Sequence, residues 1–299
     1  MGFLDLVLYF LITMGIYGIL TLSLNLHYGF SGLVNFGHVG FFAVGAYTSA
    51  LLTLNGAPFL VGVISGGLAA GIVGFAVALP TSRLSIHYWA ITTLGIAEVI
   101  RLFALNEEWL TRGSFGLIGI PQPLISVFSV RIYPLFYLGV VLIFLAFIFY
   151  AIRCLVNSPF GRVLKAIREE DDLALAMGKP VFHFKVKVMA LGAGFAGIAG
   201  ALYAHYITYI SPLDFMPIIT FVLWSMVITG GRGSEVGSLV GTVVIIVLYN
   251  STRYLKDLFN ISGQTVSSLR MVAIGIIIIL VVLLKRGGLV EEKKKTFNI

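Results

Sequence analysis

Residues 153–187 read RCLVNSPFGRVLKAIREEDDLALAMGKPVFHFKVK. The stretch carries Arg153, Arg162, Lys165, Arg168, Lys179, Lys185 and Lys187, and an acidic run from Glu169 to Asp172. The chain on either side is hydrocarbon-like. A segment this charged cannot lie in lipid, so it is an aqueous loop between membrane-spanning stretches. Its punctuation is helical. Ser158 is a good N-cap, Pro159 fits the first helical position, Gly178 closes the C-terminus and Pro180 stops it. The expectation is a folded cytoplasmic helix presented to a partner.

The 299 residues are 59% hydrophobic and 11% charged, with mean hydropathy +1.01. A soluble domain carries about 25% charged residues. The fold class expected is therefore all-α: a polytopic transmembrane bundle forming a single domain over 1–299, with the loop 153–187 projecting from it. The net charge of +7 is read as the basic bias of cytoplasmic loops rather than as a nucleic-acid surface. Cys154 is the single cysteine, which excludes an intramolecular disulfide and a cysteine metal cluster. The N-terminal stretch MGFLDLVLYFLITMGIYG has no basic leader and too long an apolar run for a signal peptide, and reads as a retained first helix.

A crossing needs about 20 apolar residues. Segments near 5–24, 36–54, 59–79, 86–105, 133–152, 188–208, 213–230, 236–252 and 266–284 qualify, giving about nine spans (eight to ten). With 153–187 inside, alternation also places Arg83, Arg232 and the tail residues Lys285, Arg286, Lys293, Lys294 and Lys295 inside. Only Arg101, Arg112, Arg131, Arg253, Lys256 and Arg270 of the 20 basic residues remain elsewhere. The expected topology is N-terminus out and C-terminus in, in the cytoplasmic (inner) membrane, with 106–132 as the longest external loop.

Gly192, Gly194 and Gly197 in GAGFAGIAG spell a dinucleotide-type G-x-G-x-x-G. That fingerprint needs a preceding strand and a free helix N-terminus, and here it falls inside a span. Small residues at Ala193/Gly197, Ala196/Gly200, Gly67/Gly71 and Gly233/Gly237/Gly241 read instead as close helix packing. No Walker A pattern is present, so ATP hydrolysis is not expected of this chain. The five histidines are scattered singly and no catalytic constellation is visible.

Five phrases together resemble the permeases of branched-chain amino-acid ABC importers: SLNLHYGFSGLVNFGHVGFFAVGAYTSALL (23–52), RLSIHYWAITTLGIAEVIRL (83–102), TRGSFGLIGIP (111–121), GRVLKAIREEDDLALAMGKPVFHFKVKVMALGAGFAGIAGALYA (161–204) and VITGGRGSEVGSLVG (227–241). Their order is that of the LivM-like half of the permease pair. Arg112 departs from the pattern, standing where a small residue is expected. The resemblance implies two cytoplasmic ATPases, which would bind the ATP and Mg²⁺, a second, LivH-like permease subunit and an extracytoplasmic substrate-binding protein. This chain would itself hold no cofactor. The resemblance makes 158–178 the coupling helix. The residues agree: Leu164, Ile167, Ala174 and Met177 form an apolar stripe suited to a groove. Arg168, Asp172 and Gly178 complete the set, with Lys165/Glu169 and Arg168/Asp172 as helix-stabilising i,i+4 pairs. A charged amphipathic loop lying on the lipid surface is the plainer alternative.

Ionisable and polar residues inside spans invite a functional reading. Asn35 and His38 either cap the second helix at the cytoplasmic interface or mark a broken helix facing a pathway. Glu98 and Arg101 form a structural clamp or meet a substrate's charged groups. Phe41, Thr92 and Thr93 are further path candidates. His205, Tyr206, Tyr209, Asp214 and Trp224 read as an outer-interface belt. Urea, amides, sugars and nucleosides are alternative cargoes, and an ATP-independent channel or secondary transporter is the alternative class.

Overall fold

The computed structural model describes residues 3–125, 128, 131–259, 263–285 and 287–292; at 3, 251–259, 263, 266, 267 and 270 only the backbone is described. Arg286 and Lys293 to Lys295 lie outside the described residues, and the side chains of Arg253, Lys256 and Arg270 do as well. Twelve α-helices make up the described chain: α1 (Phe3–Asn25), α2 (His38–Leu54), α3 (Phe59–Thr81), α4 (Ile86–Asn106), α5 (Glu108–Thr111), α6 (Tyr133–Asn157), α7 (Pro159–Glu169), α8 (Asp171–Ala176), α9 (Val181–Ile207), α10 (Ile218–Gly230), α11 (Glu235–Phe259) and α12 (Gly263–Leu284). A π-helical turn, Leu26–Phe30, extends α1. Two short strands, β1 (Leu117–Ile118) and β2 (Tyr209–Ile210), pair antiparallel.

The all-α membrane class holds. Each segment picked out by hydropathy contains a helix. Among the described residues, five stretches are long and apolar enough to cross by length and composition: Leu4–Phe30, Phe59–Thr81, Ile86–Asn106, Tyr133–Asn157 and Val181–Ile207. Helices α10 and α11 meet at a 120° bend, and the count rises to six if they form one broken span. Helix α2 has 17 residues and α10 has 13. At about 1.5 Å per residue α10 falls well short of a hydrocarbon core about 30 Å thick, and α2 lies at the short limit of a crossing. The reason lies in the flanks. Residues 31–37 are not helical, so α2 starts inside the bundle. Met216 and Pro217 delay the start of α10 after a 3₁₀ turn at Pro212–Phe215.

The core is built where α2, α3 and α9 press together. In lipid no hydrophobic force drives helix to helix, so close packing must hold them. Glycine supplies it. A Cβ on Gly45 would strike the backbone of Gly197, one on Gly66 would sit 2.7 Å from the Gly45 carbonyl, and one on Gly197 would sit 2.6 Å from the Gly66 carbonyl. Gly200 lies against the Phe42 carbonyl, and Gly237 and Gly241 bring α11 onto α10. The glycines of GAGFAGIAG are thus packing residues. The outward faces of α3, α4 and α6 expose Leu68, Ile72, Ile91, Val99, Ile143 and Phe147, the surface of a bundle solvated by lipid.

The bundle has two distinct ends. At one, Arg83 lies over the Phe182 ring, Lys165 over Phe30 and Arg232 over Tyr28, at 5.7, 5.7 and 4.7 Å. At the other, β1 and β2 pair, and the ring of His205 bonds Pro121 O at 2.7 Å. Arg112 adopts a left-handed conformation (φ 60, ψ 18), the backbone state that glycine tolerates best.

Candidate functional site

The charged loop folds as two helices, not one. Ser158 accepts from Gly161 N–H at 3.4 Å and caps α7, with Pro159 at its first position. Glu170 then adopts an extended conformation (φ −158, ψ 108), separating α7 from α8. The break sits within the acidic run, where Glu169 to Asp172 would repel one another in a continuous helix. Gly178 closes the unit at φ +74, with its N–H on Leu175 O and that of Lys179 on Ala174 O.

The expected apolar stripe is spent internally. Leu164, Ile167 and Ala174 are 0%, 3% and 3% exposed, and Ile167 and Ala174 pack with Val163, Val181 and Phe184. Met177 alone of the four faces out, at 71%, joined by Leu173 and Leu175 at 61% each. The break at Glu170 explains the shift, because it resets the helical phase. A single helix through 158–178 would have put all four on one face. The two i,i+4 pairs do not form either. Lys165 bonds Glu292 at 2.7 Å, and Arg168 bonds Glu292 at 2.8 Å and Glu169 at 2.9 Å. Asp172 sits in the first turn of α8; its neighbour Asp171 pairs with Lys185.

Arg168 also donates to Gly29 O of the π turn at 2.6 Å. Burial opposes the charge on both Arg168 and Glu292, and their mutual hydrogen bonds, with that from Lys165, outweigh it. Glu292 is held below the ordinary carboxylate range and Arg168 above the ordinary guanidinium value.

The second constellation is buried. Asn35 and His38 are 0% exposed, so the capping expectation fails; Gly37 is the N-cap of α2 and no side chain caps it. The Asn35 amide donates to Nδ1 of His27 at 3.1 Å and Nδ1 of His38 at 3.4 Å, and its carbonyl accepts from Gly37 N–H at 2.9 Å. Those bonds assign the tautomers: Nε2–H of His27 donates to Met189 O at 3.2 Å, and Nε2–H of His38 to Ser23 Oγ at 2.7 Å. The Ser23 hydroxyl in turn donates to Leu20 O at 2.7 Å. The unwound residues 31–37 are satisfied the same way. Phe36 N–H reaches Thr93 Oγ1, and Trp224 Nε1–H reaches Asn35 O. Phe41 is buried, edge-on to His38. Thr92 is half-buried beside this region.

Glu98 and Arg101 form the expected clamp, with Nε to Oε2 at 2.9 Å and Nη2 to Oε1 at 2.5 Å. The belt reading fails for two residues. His205 is buried, with Ser49 at 2.9 Å and Pro121 O at 2.7 Å. Trp224 packs on Tyr28 and Phe36. Asp214 caps Ser211. Sequence reading passed over Asn25, which bonds Ser234 O, Ser238 Oγ and Gly233 N–H, tying α1 to the α10–α11 turn. It also passed over His27 and Ser23. The available signal was the run of polar residues Ser23, Asn25 and His27 inside an apolar span.

A cavity of about 140 Å³ opens among α1, α9, α10 and α11, walled by Tyr9, Tyr17, Tyr203, Tyr206 and Met226. Among the described residues no charged side chain lines it, and Thr13, Asn250 and the tyrosines give its wall polar groups beside apolar ones.

Residues 6–282 match the family described as the branched-chain amino acid transport system permease component. The chain belongs to this permease family. The permease is 32% identical over 255 residues to LivM of the high-affinity branched-chain amino acid transport system of Salmonella typhimurium, covering 78% of this chain and 60% of that protein. It is 31% identical over 280 residues to the probable branched-chain amino acid transport permease LivM of Methanocaldococcus jannaschii, covering 82% and 80%. It is 25% identical over 268 residues to LivH of Escherichia coli, covering 81% and 84%. The match thus spans 60% of the length of the Salmonella relative. No solved structure matches the permease.

Proposed function

We propose that this chain is the LivM-like permease subunit of an ATP-binding-cassette importer for branched-chain amino acids. The observation that carries the reading is the family match over 6–282. Relatives named LivM and LivH support a partner permease of the LivH kind. Two cytoplasmic ATPases supply the work and hold the ATP and Mg²⁺, and an extracytoplasmic binding protein delivers the substrate. Helices α2, α10, α11 and α12 join the five long apolar stretches in a nine-segment arrangement. The N-terminus faces out, and the C-terminus and the α7–α8 unit face the cytoplasm of an inner membrane. The end that gathers Arg83, Lys165, Arg168 and Arg232 fits that orientation.

In this reading the ATPase docks on the α7–α8 unit through Leu173, Leu175 and Met177, while Leu164, Ile167 and Ala174 hold the unit to the bundle. ATP binding moves the unit, and the bundle alternates between outward- and inward-facing states. The tyrosine-walled cavity offers an amphipathic step on the path. Glu98 and Arg101 are bound to one another through two hydrogen bonds, so they act as a clamp. Asn35, His38 and Thr93 hold the unwound segment open.

The test is affinity purification of the tagged permease from its own membranes, followed by mass spectrometry and leucine uptake in proteoliposomes. Recovery of an ATPase and a sister permease, with leucine uptake that needs ATP, is the expected result. Uptake by this chain alone without ATP would point to a channel or secondary transporter. Uptake of a sugar in preference to leucine would reassign the cargo.

A further inference from the structure

The segment after α12 folds back as a strap across the end of the bundle. Leu289 N–H donates to Thr229 O and Val290 N–H to Gly230 O, both at 2.9 Å. These are last-turn carbonyls of α10, which a helix end leaves without internal partners. Gly231 (φ +131) and Gly288 (φ +83) make room. A Cβ on Gly231 would strike the Val290 carbonyl, and one on Gly288 would strike the Gly231 backbone. Within the described residues the strap reaches Glu292, whose carboxylate takes Lys165 on one oxygen and Arg168 on the other. Arg168 reaches on to Gly29 O. Through the Glu292 carboxylate on α7, Arg168 on the π turn of α1 and its own backbone on the end of α10, the strap joins all three. The Glu292 side chain is 18% exposed and that of Arg168 is 13%, so this is no loose surface pair. Among the described residues, Glu292 is the only carboxylate outside α7 that forms a salt bridge to it.

We infer that Glu292 is a positioning residue for energy coupling: the strap locks α7 to the bent α10–α11 pair, so that a displacement of α7 moves both together. The inference rests on the reading of α7–α8 as the ATPase docking unit. The geometry gives it a direction. Without the strap, α7 stays joined to α6 and to the π turn, but loses its ionic link to α10. A movement of α7 would then dissipate at the turn that follows Gly230 instead of reorienting α10 against α11. The strap stays engaged throughout the cycle, because its backbone bonds are made with α10 itself.

The test uses the assembled transporter in proteoliposomes with three readouts: permease abundance, ATPase co-purification, and leucine uptake per ATP hydrolysed. Glu292→Gln is expected to leave the first two unchanged and to lower uptake per ATP about fivefold or more, the lower edge of ordinary coupling between sites. A second variant, Lys165→Cys with Glu292→Cys in a Cys154→Ala background, is expected to be uncoupled when free and restored when joined by a short bis-maleimide. Unchanged uptake per ATP in Glu292→Gln overturns the inference. So does a cross-link that blocks uptake, since the strap would then have to release. Loss of both variants from the membrane would mark the strap as part of the fold alone and overturn it as well. An ATPase that fails to co-purify with the unmodified permease overturns the docking reading and this inference with it. Where the ATPase stays bound, uptake per ATP reports on the strap alone.

Discussion

Asn35 shows how one buried amide decides local structure. Its two hydrogens and its oxygen serve three acceptors and donors at once: His27, His38 and Gly37. Remove it and both imidazoles lose a partner where water cannot replace it. Asn35→Leu is expected to destabilise the permease by about 1–3 kcal/mol for each group left unsatisfied, seen as a lower midpoint of thermal unfolding in detergent. An unchanged midpoint would show that the network is slack. Gly197 is the second such residue. Its Cβ-free surface lies against α3 and α2, and Gly197→Val is expected to cost at least about 1–3 kcal/mol by overpacking. The check is the yield of folded permease in the membrane, with Gly95→Ala as control, since nothing lies within 4 Å of a Cβ there.

The α7–α8 unit separates two jobs that a helical-wheel reading merges. Periodicity through 158–178 is a real signal, because Leu164, Ile167 and Ala174 are all buried, Leu164 in the main core and the other two in a satellite cluster. It points inward, however, since Glu170 breaks the helix and the bundle offers Val181 and Phe184 as neighbours. Leu164→Ala is expected to cost about 2–5 kcal/mol by leaving a cavity, measured as lost thermal stability. Leu173→Ser with Met177→Ser removes only exposed surface. That variant is expected to fold and reach the membrane normally, and to lose at least half of the co-purified ATPase. Equal effects from the two variants would dissolve the distinction between anchor and docking ridge. The extended Glu170 and the strap partner of Lys165 and Arg168 are not legible in the sequence, because an i,i+4 pair on paper competes with any distant carboxylate the fold brings closer.

Across the whole molecule, sidedness and pH response follow from where the charges gather. Cys154 is exposed at the α6 end that leads into α7. An impermeant maleimide is expected to label it in inside-out vesicles and not in intact, right-side-out cells; labelling of intact cells would invert the topology. Glu292 has a carboxyl held below its ordinary range by Lys165 and Arg168. Its folded-state pKa is depressed, so its contribution is complete at neutral pH. That contribution begins to fade as pH falls through the ordinary carboxylate range, and is gone once pH drops below the depressed value. Limited proteolysis of the tail is therefore expected to accelerate only on acidification, and Glu292→Gln is expected to remove that pH dependence.

What the residues alone determine is the sum of local terms. Apolar runs, charged interruptions and helix punctuation depend on neighbours a few positions apart. They define an all-α membrane protein, its charged loop, the Ser158 cap and the Glu98–Arg101 clamp. Tertiary structure decides whatever depends on distant segments meeting. It brings Glu292 to Arg168 and Asn25 to Ser234, turns Leu164 inward, buries His27 and His38 with Asn35, and delays the starts of α2 and α10. Burial and pairing at these places are set by which surfaces the packed glycines allow to touch, and no stretch of chain read by itself contains that information.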